Sequence, residues 1–382
     1  MTDSFACGFR AGVLPGGVPA EGLMAGSDAH YGQPVAEHRA LAAGRAFAVL
    51  GHRAAVRVTG EDRLSWLHSL MSQDMQSLEA GSSRRGLFLT AQGRIEFDVD
   101  VVASIDSVYL LTRRQDVEQL AAFLCRMRFM LRVDVEDLSG SHTLVGFASA
   151  AQWSDRARDA VRHDAVVVFK DPWRASAAGG FAYTTPEAAE HLAEADYSWK
   201  EALVPNERLG ELLGVLQEER VTPAGSQAVE ALRVFALKPL HGAEADDKAI
   251  PHELDLLRTS VHLAKGCYKG QETIARVHNL GHPPRRLAFL YLDGSGHTLP
   301  EPGDEVFVRG AEEGRPAGRL TSVAMHSEAG PIGLAVLKRT ADSEAELTVV
   351  GEHGRVAARQ LPVVSADSGS VVGRPQGVRR LS

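Results

Sequence analysis

Six short apolar runs in the last quarter of the chain constrain its fold most: Arg286 to Leu292, Glu305 to Val308, Arg319 to Met325, Ile332 to Leu337, Leu347 to Val350 and Val356 to Leu361. Turn residues divide them, which suits short strands and predicts a small all-β barrel or sandwich. The texture changes at Gly281-His282-Pro283-Pro284, so a domain boundary is expected there, with the barrel spanning 281–362.

Upstream the patterns are mixed. Ala54 to Thr59 reads as a strand, and Gly60-Glu61-Asp62 opens a helix in which Leu64, Leu67 and Met71 recur at helical spacing. Its acidic first turn is favoured by the macrodipole. Gly86 to Thr90 and Arg94 to Ala103 predict a hairpin around Ala91-Gln92-Gly93. In the second arm Ile95, Phe97, Val99 and Val101 alternate with Glu96, Asp98 and Asp100, which sends three carboxylates to one face. That face is solvent or a site, and solvent is the more usual explanation. Val117, Leu120, Leu124 and Met127 mark a second amphipathic helix, beside which Cys125 is expected to pack as a small hydrophobe. Strands are predicted at Leu131 to Val135, His142 to Phe147, Ala165 to Phe169 and Phe181 to Thr184. Helices are predicted over 150–161, from Pro186 to Ala193 and from Gln227 to Leu237. The reading is an α+β body over 36–280 in two subdomains. Residues 1–35, rich in Gly and Pro, and 363–382, rich in Ser, Gly and Arg, are expected to be a mobile and a disordered tail.

Composition excludes several classes. A length of 382 residues with 44% apolar and 24% charged content supports a sizeable core. A formal net charge of −8 argues against bulk electrostatic binding to nucleic acid or a membrane surface, so any anion site must be local. Cys7, Cys125 and Cys267 are widely spaced and form no metal-ligand pair, which supports neither a disulfide framework nor a metal site. No N-terminal apolar leader or membrane span is evident, and a cytoplasmic location is expected.

Reactive chemistry concentrates in Lys265-Gly266-Cys267-Tyr268-Lys269-Gly270-Gln271-Glu272. A lone cysteine is most often structural, but Lys265 and Lys269 would favour its thiolate, and the two glycines permit close approach of a ligand. From Lys265 to Arg286 the segment carries Lys265, Lys269, Arg276, Arg285 and Arg286 against Glu272 alone, a net +4 that suggests an anionic ligand. His241 to Asp255 runs the opposite way, and two solvated faces attracting each other weakly are the plain alternative. Trp66, Trp153, Trp173 and Trp199 could stack on a heterocycle but are expected in the core. His68, His252 and His262 are expected to be structural.

The octapeptide resembles the KGCYxGQE signature of the YgfZ/GcvT-like folate-binding proteins, and Thr273 to Asn279 continues the likeness. Arg233, Pro239, Gly242 and Glu244 resemble a further family segment, with Leu237 where a glycine is usual. So do Ile250 to Glu253, Asp62 to Asp74, Gly93 to Asp98 and Ala317 to Ser322. The resemblance implies a three-domain ring around a central channel for tetrahydrofolate or a one-carbon derivative. Within it, Asp98 and Cys267 would act chemically, and Arg233, Lys265, Tyr268, Lys269, Gln271, Glu272 and Arg276 would bind the cofactor. Gly179 to Thr185 lacks the pterin-holding glutamate of the related aminomethyltransferases, which counts against aminomethyl transfer. The YgfZ branch implies support of iron-sulfur proteins, including enzymes that thiolate tRNA, through Cys267 facing the channel. With the net charge of −8, no direct nucleic-acid partner and no membrane are expected. An aminomethyltransferase using Asp98, or a folate-binding scaffold without chemistry, are the alternatives.

Overall fold

The computed structural model of the protein describes residues 12–148, 152–296, 299–352 and 354–371; Cys7 and residues 372–382 lie outside them. Three sheets carry the architecture. The first is antiparallel, with strands Ser83–Leu89, Ile95–Ala103, Ser107–Arg113, Arg53–Thr59 and Asp134–Asp137 in that spatial order. One face of it packs Phe88, Phe97, Val99 and Val101 against Trp66 and Leu67 of helix Arg63–Leu70 and Leu120 and Leu124 of helix Arg114–Met127. Cys125, expected to be packed, is exposed instead: it sits one residue beyond the buried stripe, on the solvent side of its helix.

The second sheet orders Val167–Lys170, Lys200–Pro205, His142–Phe147, Ala46–Val49 and Thr222–Pro223, all antiparallel but for the last pair. Helices Asp155–Asp164 and Asn206–Glu218 cover one face. Ser154 caps the first by accepting from the Ala157 N–H, and Thr185 does the same for Pro186–Glu194 through the Ala188 N–H. Phe181 to Thr184, expected as a strand, makes a single bridge between Thr184 and Val364, because the Tyr183 N–H that a ladder would use goes to the Asp255 carboxylate, which also takes the Thr184 hydroxyl, and the Phe181 N–H goes to the Leu257 carbonyl.

The six C-terminal runs close into a barrel in the order Arg285–Leu292, Gly330–Lys338, Gly318–His326, Glu305–Val308, Leu347–Gly351 and Gly354–Pro362. Closure removes the unpaired edges an open sheet would leave. A shared core joins the three parts: Leu87, Leu89 and Ile95 from the first sheet, Leu144 and Leu203 from the second, and Leu287, Phe289 and Leu334 from the barrel.

Residues 12–35, read from composition as part of a tail, are instead packed. Leu14 is buried in the second core, Val18–Pro19 pairs with Asp28–His30, and Ser27 hydrogen-bonds the buried His52 at 2.8 Å. At the other end, Val363 and Val364 are buried in the shared core. A few apolar anchors spaced far apart leave no period to read, yet suffice to hold each segment.

Candidate functional site

The hairpin Ser83–Leu89/Ile95–Ala103 puts Asp98 and Asp100 on the face opposite its apolar core, where register sets Arg85 across from Asp100. Both carboxylates are largely buried, so the solvent explanation for that face is corrected: the second sheet and the helix Ser226–Phe235 cover it. They line a cleft of about 70 Å³ between the two sheets, with Arg53, Tyr197, Trp199, Glu201, Arg233 and Lys238.

Charge in this cleft is organised by pairing. Arg85 Nη2 donates to Asp98 Oδ2 at 2.9 Å and Arg85 Nε to Asp100 Oδ1 at 3.1 Å. Arg53 joins Asp100 at 2.6 Å to Glu201 at 3.0 Å, and Trp199 Nε1 donates to the other oxygen of Glu201 at 3.0 Å. Lys238 pairs with Asp171, which also accepts from Tyr197 Oη at 3.1 Å. Burial alone would raise the Asp100 pKa, but Lys238, Arg53 and Arg85 bring it below the ordinary carboxylate value. Two atoms are left over. Asp98 Oδ1 and Arg85 Nη1 are buried without a partner, one acceptor and one donor on the same ion pair. Buried groups of this kind are uncommon and ask for an explanation.

The octapeptide lies at the other end of the hairpin. Gly270 takes φ +86°, and a Cβ there would stand 2.6 Å from the Thr90 carbonyl, so this glycine lets helix Gln271–Leu280 begin directly on the hairpin tip. Lys269 meets Glu96 at 3.3 Å. Lys265, expected to poise the thiol, is buried and turned inward: its Nζ donates to the carbonyls of His68, Met71 and Gln73. Desolvation brings its pKa down to about 8. The ammonium also lies 5.0 Å from the buried Tyr268 ring, whose phenol burial pushes up. Gln271 donates to the Lys265 carbonyl at 3.3 Å. Cys267, Glu272 and Arg276 are exposed. Cys267, expected to face the channel, does not line the cleft that holds Asp98.

The basic run therefore divides. Arg285 pairs with Asp246 at 2.7 Å and Glu253 at 2.8 Å, joining the acidic segment to the barrel through a partly buried contact, and Arg286 is buried in the barrel wall. No single anion site collects these charges. Arg233 lines the cleft, but its guanidinium is occupied by Glu230, Glu244, the Lys238 carbonyl and Ser322 Oγ of the barrel. Arg53, Arg85, Asp171, Glu201 and Lys238 were not legible as site residues. For Arg85 the sequence misleads by one residue: counting back from Ala91-Gln92-Gly93 sets Arg84 opposite Asp100, and the bulge between Phe88 and Leu89 brings Arg85 there instead. The others come from elements whose neighbours no local pattern names. Trp199 lines the cleft and Trp173 lies 5.2 Å from the Arg85 guanidinium, while Trp66 and Trp153 are core.

No family model matches the chain. It is 26% identical over 313 residues to a chloroplastic protein of Arabidopsis thaliana that carries a provisional transferase name, covering 79% of this chain and 67% of that one. It is 25% identical over 303 residues to the tRNA-modifying protein YgfZ of Vibrio atlanticus, covering 79% and 87%. Among solved structures, the glycine cleavage system aminomethyltransferase T of Bartonella henselae superposes with a TM-score of 0.69 over 92% of this chain and 93% of that one, at 19% identity. The fold is thus shared with that aminomethyltransferase, and in sequence the chain is similar to YgfZ proteins at 23–25% identity.

Proposed function

We propose that the protein binds tetrahydrofolate, or a one-carbon derivative of it, in the central cleft and supports iron-sulfur cluster assembly or repair in client proteins, including tRNA-thiolating enzymes. The observation that carries the reading is the orphaned pair in the cleft. A pterin edge offers both amide donors and carbonyl acceptors, the complement of Asp98 Oδ1 and Arg85 Nη1. Trp199 and Tyr197 supply ring faces beside them. The cleft is small, about 70 Å³ against roughly 300 Å³ for the smallest usual ligand sites, so entry of the ligand must widen it. Likeness to proteins named tRNA-modifying supports the tRNA side of the reading. Folate would supply one-carbon chemistry. The chain's own contribution would be to orient the pterin edge and, at Cys267, to present an exposed thiol that a client protein can reach.

Calorimetry with tetrahydrofolate tests the first half: binding that Asp98→Asn weakens is expected, and no detectable binding refutes it. For the second half, Cys267→Ser should lower iron-sulfur enzyme activity in a cell that depends on this protein, and unchanged activity refutes the thiol's role. Aminomethyl transfer is favoured by the fold and by Asp98 in the central cleft. Against it, Asp98 is already bonded to Arg85, and Gly179 to Thr185 carries no carboxylate. Formation of methylene-tetrahydrofolate from an aminomethylated carrier would decide for it.

A further inference from the structure

A second, larger cavity of about 560 Å³ lies between the N-terminal strand pair, the start of helix Ser226–Phe235 and the barrel. Its volume falls in the range of roughly 300–1,000 Å³ typical of small-molecule sites, which the central cleft does not reach. The walls are mostly apolar, and Val18, Val35, Leu299 and Met325, all unusually exposed for large apolar residues, converge there. An apolar concavity that stays open to solvent gains by being filled.

The two cavities adjoin. Met24 and Glu230 line both. Glu230 is tied down by two hydrogen bonds from Arg233 at 2.8 and 2.7 Å. Met24 ends a three-residue turn, Gly22–Met24, that lacks a side-chain cap and sits between two well-anchored points: Leu14 in the core and Ser27 on His52. Its unbranched side chain has three rotatable bonds and repacks at little cost. One flexible side chain therefore stands in the partition between a polar inner cleft and an apolar outer one.

We propose that the two cavities are halves of one elongated ligand site with Met24 as the movable partition. A polar heterocyclic head occupies the central cleft, and a neutral aromatic ring attached to it lies on the apolar walls of the outer cavity. The outer lining holds Glu21 and Glu230 but no lysine or arginine, so an anionic tail on that ring would run out to solvent. Naming a reduced pterin as the head rests on the folate reading above.

The test compares the protein with Val35→Trp, which fills the outer cavity from a helix position that is already 38% exposed. Met325→Trp, 39% exposed on the barrel wall, repeats it should the first variant fold poorly. Each is titrated with tetrahydrofolate and with tetrahydropterin, which has the head but no aryl tail. The expected result is at least a tenfold loss of tetrahydrofolate affinity in the filled variants with tetrahydropterin affinity unchanged. Tetrahydrofolate affinity within twofold of the parent in both variants overturns this inference and leaves the folate reading standing. No tetrahydrofolate binding to the parent overturns both.

Discussion

Arg85→Met is the sharpest perturbation of the central cleft. Arg85 bridges Asp98 and Asp100 with almost no exposure of the three side chains. Asp100 keeps Arg53 at 2.6 Å after the change, but Asp98 loses its ion-pair partner and becomes a buried, uncompensated carboxylate. Removing one member of such a pair costs about 3–5 kcal/mol, whereas replacing both members by neutral groups of similar shape is often close to neutral. Arg85→Met should therefore lower unfolding stability by about 3–5 kcal/mol, and Arg85→Met with Asp98→Asn should recover at least about 2 kcal/mol of it. The sign with pH is definite. A lone buried carboxylate prefers its neutral form, so the variant's deficit shrinks as pH falls from 8 to 5. The parent loses Asp100's contribution only as pH falls below the ordinary aspartate value, since that group is depressed in the fold. Urea unfolding followed by tryptophan fluorescence, with Trp173 5.2 Å from Arg85 as a local reporter, measures both effects. A loss below about 1 kcal/mol that stays flat with pH would show that the cleft is wetter than its burial implies, and the pairing argument would fail.

Three further outcomes are expected. Burial lowers His38 to about 4, and His52 and His252 to about 3, so unfolding takes up protons at each as pH drops below about 6.5; each of the three removes up to about 1.4 kcal/mol of stability per pH unit below that value, which urea midpoints at pH 7.5 to 5 measure and His38→Gln should lessen by one such share. Leu237 is buried at φ +58°, where a Leu is strained by about 1–2 kcal/mol, so Leu237→Gly should be more stable than Leu237→Ala, the reverse of the usual order, as thermal midpoints will show. Gly270→Ala should cost at least about 2 kcal/mol and detach the octapeptide from the hairpin, seen as faster amide exchange at residues 271–274, because both the positive φ and the Thr90 carbonyl oppose a Cβ.

The sequence by itself determined the local elements. The barrel strands, the hairpin around Ala91-Gln92-Gly93 and the helix from Pro186 follow from apolar period and turn chemistry, which act over a few residues. The elements that escaped were those whose burial is two-sided or whose signal is diffuse: strand Lys200–Pro205, helix Asn206–Glu218 and the packed residues 12–35. The octapeptide was legible as a cluster of chemistry and Gly270 as a point of close approach, but what approaches it is the Thr90 carbonyl of the hairpin tip. What only the tertiary structure decided is the destination of each charge. Lys265 points at three backbone carbonyls rather than at its neighbour Cys267, Arg285 closes on Asp246 and Glu253, and Asp98 meets Arg85 across a hairpin. The physical reason is that a buried charge takes the nearest partner in space, and that distance is set by how sheets and barrel pack, information that proximity along the chain does not hold.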